Sequence, residues 1–544
     1  MQSNRRWITF VVAFVLLDVS LSFRNIWPTP ALRWHGELSV ELAVCVLGLL
    51  AARRWLGPPS RAMLRGLSVL WVIFVLGHYA DVTAPALYGR EVNLYWDLRN
   101  VSAVAEMLGQ AAPIWLVVVV LAAAIVVVGL LYTIARWALG RLGEATGDPR
   151  ERTVLGVVAV CALVLFAIEG QQSTNMQAPG FLRFPAPVTK TYARQVRLIV
   201  RARSAARTDV LPPSPSMNGD MSRIKGADVL LVFIESYGAV SYERPELAAR
   251  LAPSRADLEA AIHETHRDVV SAFVESPTFG GNSWLAHITL LSGVEVRDRD
   301  TNALLMTQKR DTLVSAFARH GYRTVAMMPG LWQSWPEGVF YGFDEIYSGS
   351  RLDYHGPEFG WWDFPDQFTL ARMDALEVNK GSRPPVFVFF PTVSTHIPFS
   401  PVPPYQPDWP RLLTDRPYET ADVDRALEKQ PDWLKLGPGY GDAMTYAFRS
   451  LAGYLRMRAD RDFVMILLGD HQPPAAVTGT AAPWDVPVHV IASRPAVLER
   501  LKAQGFREGL TPARPAVGHM PALVPMFFDA FGDPEQPPPA AREP

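Results

Sequence analysis

Cysteine is nearly absent from this chain of 544 residues, which contains only Cys45 and Cys161. Both lie inside apolar segments, and no cysteine follows Cys161. A disulfide framework is therefore excluded for the larger, C-terminal part of the chain, which must depend on an ordinary hydrophobic core.

An excess of charge of either sign is also lacking, since the formal net charge is -1 at pH 7. This balance gives no support for nucleic-acid binding through a broad basic face, so we expect no nucleic-acid partner. The composition is uneven along the chain, because the first 170 residues contain no lysine and several long apolar runs. The remainder has the mixed composition of an ordinary soluble domain.

Five apolar segments occupy the N-terminal part, at residues 7–23, 37–52, 66–81, 114–137 and 154–168. A membrane-spanning helix needs about 20 mostly apolar residues, a length that the fourth segment reaches without help. The second, third and fifth segments are shorter, and buried helices of a soluble protein are their alternative. No small-x-small cleavage site closely follows the first segment, so it is not an obvious signal peptide. The sequence predicts a five-helix transmembrane domain over residues 1–169.

Arginine is unevenly shared between the loops that join these segments. Ten arginines precede the first segment or lie in the second and fourth loops, whereas four lie in the alternate loops. Positive residues collect on the cytoplasmic side, which places the N-terminus there. The first group is Arg5, Arg6, Arg53, Arg54, Arg61, Arg65, Arg136, Arg141, Arg150 and Arg152, and the second is Arg24, Arg33, Arg90 and Arg99. Five crossings of the cytoplasmic (inner) membrane then make the large C-terminal domain extracytoplasmic.

A connector is predicted over residues 170–225, and it includes the basic amphipathic stretch "TKTYARQVRLIVRARSAAR". This stretch is expected to form a helix, either solvated or lying against lipid headgroups. The large C-terminal domain is predicted over residues 226–530. The proline-rich tail, residues 531–544, is expected to be disordered.

The C-terminal domain alternates buried-strand candidates with helical stretches. The strand candidates are "DVLLVFIES", "YRTVAMMP", "PVFVFFPTVSTH", "DFVMILLGDH" and "VPVHVIAS". Their nearly continuous apolar character is typical of a sheet that helices cover on both faces. We therefore predict an α/β domain with a mainly parallel sheet.

Polar residues follow three of these predicted strands. Glu235 follows the first, His396 the third, and the pair Asp470 and His471 the fourth. Ligands of open α/β sheets bind beyond the carboxyl ends of the strands. Two carboxylates and an imidazole suit a divalent cation, with Zn or Mn preferred to Ca because a nitrogen ligand is included.

A hydroxyl can serve both as a further metal ligand and as a nucleophile, and Ser283 is the candidate. It follows Gly280 and Gly281 and opens the helix-like run "SWLAHITLL". A helix N-terminus favours negative charge, which suits both an alkoxide and a phosphate. The alternative is that Ser283 is only a helix N-cap. His287, one helical turn further on, is taken as a structural residue.

The motifs "FIESYG", "FGGNSW", "STHIPF" and "LGDHQ" together resemble those of the sulfatase-like alkaline phosphatase superfamily, in the branch that contains lipoteichoic acid synthase. The resemblance covers residues 227 to about 530, and the predicted five-helix anchor is similar to that branch's architecture. It implies a sulfatase-like α/β domain in which Glu235, Ser283, Asp470 and His471 bind the metal. Ser283 would also be the nucleophile, and His396 would contact the substrate phosphate or the leaving group.

The chain departs from that family's patterns at several points. The branch usually has threonine at the position of Ser283, but a hydroxyl is kept. The Trp-x-Arg of the synthases falls at Trp332-Gln333-Ser334, so the phosphate-gripping arginine is missing; Trp332 is assigned to substrate binding, with a core aromatic as the alternative. Phosphoethanolamine transferases of the superfamily are usually disulfide-rich, which argues against ethanolamine transfer. The sequence after Ser283 lacks the proline and arginine of a formylglycine site, which argues against sulfate ester hydrolysis.

The resemblance implies a membrane-anchored transferase that uses one divalent ion (Mn, Zn or Mg). It would move phosphoglycerol from phosphatidylglycerol, through a covalent Ser283 intermediate, to a hydroxyl of a glycan or a lipid. Phosphoethanolamine transfer and phosphodiesterase or sulfatase-like hydrolysis are the alternatives within the superfamily. The alternative of another class is a membrane protein that binds without catalysis.

Overall fold

The structure is a computed structural model that describes residues 2–26, 30–34, 38–88, 114–171, 187–205, 211–331, 335, 337–360, 364–479 and 481–533. The chain forms two compact units, Met1–Thr208 and Asp209–Pro544. Residues 172–186 and 206–210 of the predicted connector and 534–544 of the predicted tail lie outside the described residues.

The N-terminal unit is helical, and each predicted apolar segment falls largely within one of its first five helices. They are α1 (Gln2–Val19), α2 (Val40–Leu56), α3 (Arg61–Tyr88), α4 (Ile114–Ala145) and α5 (Pro149–Gln171), followed by α6 (Pro187–Ala205). A short antiparallel hairpin of β1 (Phe23–Asn25) and β2 (Leu32–Trp34) follows α1.

Two of the described helices are long and apolar enough to cross a membrane, over Arg61–Ala84 in α3 and Ile114–Ala145 in α4. The most apolar stretch of α4 is not buried against other described residues, and Val118 and Ile125 are among its exposed side chains. A long apolar surface of this kind is what a lipid-facing helix presents. The number of crossings and their orientation stay predictions.

The predicted amphipathic helix of the connector is present as α6, and it packs within the N-terminal unit. The Thr191 hydroxyl donates a hydrogen bond of 2.7 Å to Asp81 in α3. The Tyr192 hydroxyl donates one of 2.7 Å to the carbonyl of Ile73 in the same helix. One face of α6 is thus held against protein.

The C-terminal unit is built on an eight-stranded mixed sheet with the spatial order β10-β4-β9-β8-β3-β7-β5-β6. Strands β8, β3, β7, β5 and β6 are parallel neighbours, whereas the pairs β8–β9, β9–β4 and β4–β10 are antiparallel. The strands are β3 (Asp228–Ile234), β4 (Asp268–Glu275), β5 (Arg323–Met328), β6 (Glu345–Ser348), β7 (Val386–Pro391), β8 (Phe463–Gly469), β9 (Asp485–Ala492) and β10 (Arg507–Glu508). The prediction of a mainly parallel α/β domain is confirmed, although β4, β6 and β10 were not predicted.

Helices lie between the strands in the order that the alternating pattern predicts. They are α7 (Val240–Glu243), α8 (Pro245–Glu264), α9 (Ser283–Ser292), α10 (Arg299–Met306), α11 (Leu313–Arg319), α12 (Glu337–Tyr341), α13 (Gly349–Leu352), α14 (Asp366–Met373), α15 (Thr420–Leu427), α16 (Leu436–Met457), α17 (Ala475–Thr478), α18 (Pro495–Ala503) and α19 (Leu523–Phe531).

Hydrophobic cores on both faces of the sheet explain the nearly continuous apolar strands. Successive side chains of a strand point to opposite faces. In β3, Leu231 and Phe233 belong to one core, and Leu230 and Val232 belong to the other. Every residue of this central strand is buried. Burial on both faces therefore fixes β3, and with it the position of the residue that follows.

The beginning of β3 is tied to β7 by a charged pair. Asp228 accepts hydrogen bonds from both terminal nitrogens of Arg383, at 2.7 and 2.6 Å, and from the backbone N–H of Val386 at 2.9 Å. The side chains of Asp228 and Arg383 are only 7% and 13% exposed. Removing one member of such a pair leaves a buried charge without its partner.

We expect Asp228→Ala to lower the free energy of unfolding by about 3–5 kcal/mol, because it leaves the buried Arg383 guanidinium without its carboxylate partner. The control is Asp422→Ala, which breaks the exposed pair between Asp422 and Arg425 and should cost at most about 1 kcal/mol. Denaturant unfolding of the purified chain in detergent measures both. Equal effects of the two substitutions would contradict the importance of the buried pair.

Candidate active site

Two neighbouring parallel strands place three of the candidate side chains at the carboxyl-terminal end of the sheet. Glu235 directly follows β3, and Asp470 and His471 follow the adjacent strand β8. One ligand atom from each of the three lies within 4.8 Å of the others. The exposed fraction is 7% for Glu235 and 1% for each of the other two. The structure therefore brings together, in a buried cluster, residues that are separated by more than 200 positions.

Ser283 reaches this cluster from another segment. Its hydroxyl oxygen lies 2.7 Å from Glu235 Oε2 and 3.1 Å from His471 Nε2. The preceding residues Gly281 and Asn282 have φ angles of +143° and +61°, which make the turn that brings the first residue of α9 to the sheet edge. The alternative of a simple N-cap is not observed, because Asn282 holds the cap position and the Ser283 hydroxyl donates to Glu235.

The turn after β3 is made by Ser236, which has a φ of +57°. A left-handed backbone is uncommon outside glycine and is found more often at functional sites. The N–H of Ser236 donates to Asp470 Oδ1 at 2.8 Å, and its hydroxyl donates to Glu235 Oε1 at 3.1 Å. Gly238 is required for close packing, because a Cβ there would lie 1.9 Å from the Gln472 side-chain oxygen. Its small size allows the two loops to pack closely.

Mutual charge governs protonation within the cluster. Burial alone would lower the pKa of His471, but the carboxylates Asp470 and Glu235 raise this pKa to about 9. Burial alone would raise the pKa of Glu235, but the charge of His471, and to a smaller extent that of His396, holds this pKa below its usual range. Burial and the neighbouring Glu235 raise the pKa of Asp470 well above its ordinary value. The two carboxylates therefore compete for the available positive charge.

The cluster fits a divalent cation. Asp470 Oδ2 is buried and has no hydrogen-bond partner in the described part of the chain. His471 Nδ1 lies 2.8 Å from the carbonyl oxygen of Gln472, and a carbonyl can only accept, so Nδ1 carries the hydrogen. In the neutral ring Nε2 then presents its lone pair towards the carboxylates. Two carboxylates, an imidazole nitrogen and a hydroxyl form a donor set that suits Zn or Mn.

The loop after β7 carries His396 and forms hydrogen bonds with both the backbone N–H and the backbone carbonyl of Glu235. Thr392 Oγ1 accepts from the N–H of Glu235 at 3.0 Å, and the Thr395 hydroxyl donates to its carbonyl at 2.6 Å. His396 Nδ1 lies 2.7 Å from the carbonyl oxygen of Ile397. His396 therefore belongs to a loop that is hydrogen-bonded to the backbone of Glu235.

Asp366, at the start of α14, holds the same loop from its other side. Its two oxygens accept from the N–H groups of Val393 at 2.7 Å and Ser394 at 3.1 Å. Burial raises the pKa of Asp366 to about 6. Sequence reasoning missed Asp366, as it missed Ser236, Thr392 and Thr395. Ser236 and the two threonines stand inside the quoted motifs or beside them, whereas Asp366 has no local signal.

Trp332 and His287 are the remaining positions that the sequence analysis considered. Trp332 lies outside the described residues, and its assignment to substrate binding stays a prediction. His287 lies on α9 beside two aromatic rings, with its ring centre 4.7 Å from that of Phe233 and 5.5 Å from that of Phe389. Burial lowers the pKa of His287 to about 3, so its ring is neutral.

No protein-family model and no curated protein match the chain. The solved structures that match include a protein of the alkaline phosphatase superfamily from Vibrio parahaemolyticus, with 16% identity and a TM-score of 0.39 over 62% of this chain and 74% of that chain. The lipoteichoic acid synthase LtaP from Listeria monocytogenes has 12% identity and a TM-score of 0.35 over 61% and 82%. The phosphoglycerol transferase GacH from Streptococcus pyogenes, in complex with sn-glycerol-1-phosphate, has 12% identity and a TM-score of 0.34 over 63% and 91%. Similarity at this level does not fix an activity, so the function of this chain depends on its own side chains.

Proposed function

We propose that the chain is a metal-dependent transferase that moves a phospho-alcohol headgroup from a lipid to an acceptor hydroxyl through Ser283. One observation carries this proposal: the Ser283 hydroxyl stands at the N-terminus of α9, 2.7 Å from Glu235 and 3.1 Å from His471. A hydroxyl hydrogen-bonded to a carboxylate in a buried, cation-binding cluster has the arrangement of an activated nucleophile.

The reaction would take place in two displacements. In the first, Ser283 Oγ forms a bond to phosphorus, the bond from phosphorus to the diacylglycerol oxygen breaks, and the hydroxyl proton ends on the released diacylglycerol. In the second, an acceptor oxygen forms a bond to phosphorus, and the bond to Ser283 breaks. The acceptor proton returns to Ser283 Oγ. If water is the acceptor, the same residues perform phosphodiester hydrolysis.

Each residue of the cluster has a defined part in this scheme. Glu235, Asp470, His471 and Ser283 would hold the ion, which supplies positive charge that lowers the pKa of the hydroxyl and balances the phosphoryl oxygens. Glu235 Oε2 accepts the hydrogen bond of Ser283 and so orients the hydroxyl. The backbone N–H groups at the start of α9 favour the negative charge of the phosphoryl group. The presence of all four residue types in one cluster argues against a protein that only binds.

The apolar helices of the N-terminal unit support a lipid donor, because they would keep the site close to phospholipid. By the resemblance described above, phosphatidylglycerol is the proposed donor and phosphoglycerol the transferred group. The arginine distribution supports an anchor in the cytoplasmic membrane with a cytoplasmic N-terminus and an extracytoplasmic catalytic unit. Ethanolamine transfer is the second candidate for the same residues.

The topology can be measured with reporter fusions. An enzyme reporter that is active only outside the cytoplasm should be active when fused after residue 170 and inactive when fused near residue 60, because the arginine-rich loops stay inside. The opposite pattern would remove the argument for an extracytoplasmic site supplied by the outer lipid leaflet.

Metal content tests the cluster. We expect the purified chain to hold one Mn, Zn or Mg ion, and Glu235→Ala or Asp470→Ala to lose it, because each removes a charged ligand. Elemental analysis gives the metal content, and thermal melting shows whether the variants still fold. Glu428→Ala, at an exposed position, is the control and should keep the ion. Unchanged metal content in both cluster variants would show that the site lies elsewhere.

The nucleophile is tested with phosphatidylglycerol as donor. Wild-type protein should release diacylglycerol and gain a phosphoglycerol adduct at Ser283, visible by intact-mass and peptide mass spectrometry. Ser283→Ala should abolish the adduct and lower turnover by on the order of 10³-fold or more. Ser283→Thr should keep part of the activity because it keeps a hydroxyl.

Two results would contradict parts of this proposal. Turnover at the wild-type rate by Ser283→Ala would exclude Ser283 as the nucleophile. Consumption of phosphatidylethanolamine alone would leave the mechanism intact but show that the headgroup assignment is wrong.

A further inference from the structure

The C-terminal unit exposes two adjacent large apolar side chains, Trp433 and Leu434, which we call the apolar tip. Among the described residues of this unit, the large hydrophobic side chains that are exposed all lie between Leu413 and Leu434. The exposed fraction is 61% for Trp433 and 71% for Leu434, against 36% for Leu413 and 38% for Leu427. Apolar surface left in water costs free energy, so an adjacent pair of this kind indicates a contact surface.

The apolar tip belongs to a hydrogen-bonded turn. Asp432 Oδ1 accepts hydrogen bonds from the backbone N–H groups of Leu434 at 3.0 Å and Lys435 at 3.1 Å. Helix α16 begins directly after this turn, at the buried residue Leu436. The exposure of the two apolar side chains is therefore a property of an ordered segment between two helices.

The apolar tip lies at the same end of the sheet as the candidate active site. Six residues after Leu434, the Tyr440 hydroxyl in α16 donates a hydrogen bond of 3.1 Å to the carbonyl of Ser236, in the turn after β3. The Tyr440 ring centre lies 5.3 Å from that of Phe399, which follows His396 by three residues. From there α16 leads to the start of β8, at the opposite end of the sheet. The tip and the carboxylate cluster thus share the carboxyl-terminal end.

Charge around the apolar tip is balanced. Residues 428–435 contain two acids, Glu428 and Asp432, and two lysines, Lys429 and Lys435, and all four are exposed. A segment without net charge gives little attraction to a strongly charged partner. Tryptophan is enriched where a membrane meets water, and a lysine can lay its aliphatic stem along an apolar surface while its ammonium stays in water. This composition fits the interfacial region of a phospholipid bilayer.

A second copy of the chain fits the apolar tip less well than a bilayer does. A stable protein interface buries about 800 Å² on each partner, whereas one aromatic side chain buries about 150–250 Å² and a leucine is smaller. A bilayer requires no matching surface, because its interior accepts any apolar side chain. Two described helices of the same chain are long and apolar enough to cross a membrane, so a bilayer would always be within reach.

We propose that the apolar tip docks on a phospholipid surface and so turns the carboxyl-terminal end of the sheet towards the lipid. Trp433 and Leu434 would enter the interfacial region, and Lys429 and Lys435 would stay at the level of the phosphate groups. This inference rests on the membrane anchor of the proposed function and not on the chemistry at Ser283. The anchor would keep the chain at the bilayer, and the tip would determine which end of the sheet meets it.

The depth of a label tests the docking in the full chain, reconstituted in bilayers of phosphatidylcholine with or without phosphatidylglycerol. In a background of Cys45→Ala and Cys161→Ala, a fluorophore is attached to Leu434→Cys, and lipids with a nitroxide on the acyl chain serve as quenchers. We expect quenching in both bilayers, because the tip carries no net charge. The matched control is a label on Asp460→Cys, exposed beyond the other end of α16. This helix has 22 residues and is about 33 Å long, so the control should not be quenched.

Turnover gives an independent measurement. The double variant Trp433→Ser and Leu434→Ser should fold, because both side chains are exposed. We expect it to lower turnover of phosphatidylglycerol in bilayers about tenfold, the effect of losing the contact of one large apolar side chain or more. Turnover of monomeric dihexanoylphosphatidylglycerol should not change, because a soluble donor needs no docking. Gln430→Ser, exposed in the same loop, should change neither rate.

The outcomes separate the docking surface from the function beneath it. An unquenched label on Leu434→Cys, equal quenching of the control, or an equal loss of both turnover rates in the double variant overturns the docking surface. Energy transfer between labelled copies without quenching by lipid would assign the tip to a second copy instead. Quenching at the tip with no turnover of either lipid contradicts the proposed chemistry and supports the docking. Release of the chain from bilayers contradicts the anchor and the docking together.

Discussion

Two carboxylates buried side by side are the feature on which the C-terminal unit depends. Glu235 and Asp470 both lie at the carboxyl ends of central parallel strands and are almost fully removed from solvent. Like charges in such surroundings repel each other and lose their hydration, which is tolerated only with nearby positive charge and hydrogen-bond donors. Asp470 Oδ1 receives two backbone N–H groups, from Ser236 at 2.8 Å and His471 at 2.6 Å. Asp470 Oδ2 has no hydrogen-bond partner among the described residues, so this oxygen of the cluster is open to a cation.

The cluster requires a rigid frame, and the sheet supplies it. The parallel register fixes β3 between β7 and β8 over nearly its whole length. The left-handed residues Ser236 and Asn282 can persist next to this frame because the surrounding hydrogen bonds determine their conformation. Backbone strain of this kind costs of order 1–3 kcal/mol and is retained where it positions functional groups. The strands therefore stabilise an arrangement that short loops alone would not adopt.

The parts of this architecture that the sequence predicts are those with a strong local pattern. The central strands are continuous apolar runs that end in a charged residue, so Glu235, Asp470 and His471 could be identified together with the strands that carry them. β6 was missed because it has only four residues and is only partly buried, and β10 because it has two exposed residues. β4 contains Ser271, whose hydroxyl lies 2.6 Å from His489 Nδ1; this polar pair interrupts the apolar run. Asp366 could not be identified, because its role depends on a loop 27 residues away.

Helix α9 carries the proposed nucleophile at its first residue. Its first residue, Ser283, faces the carboxylate cluster, and Trp284 and His287 line a cavity of about 480 Å³. The ten-residue helix is largely buried along its length, so its packing against the hydrophobic core fixes its position. In the proposed reaction an acceptor hydroxyl competes with water for the phosphoryl group, so a surface beside Ser283 that displaces water would favour transfer over hydrolysis.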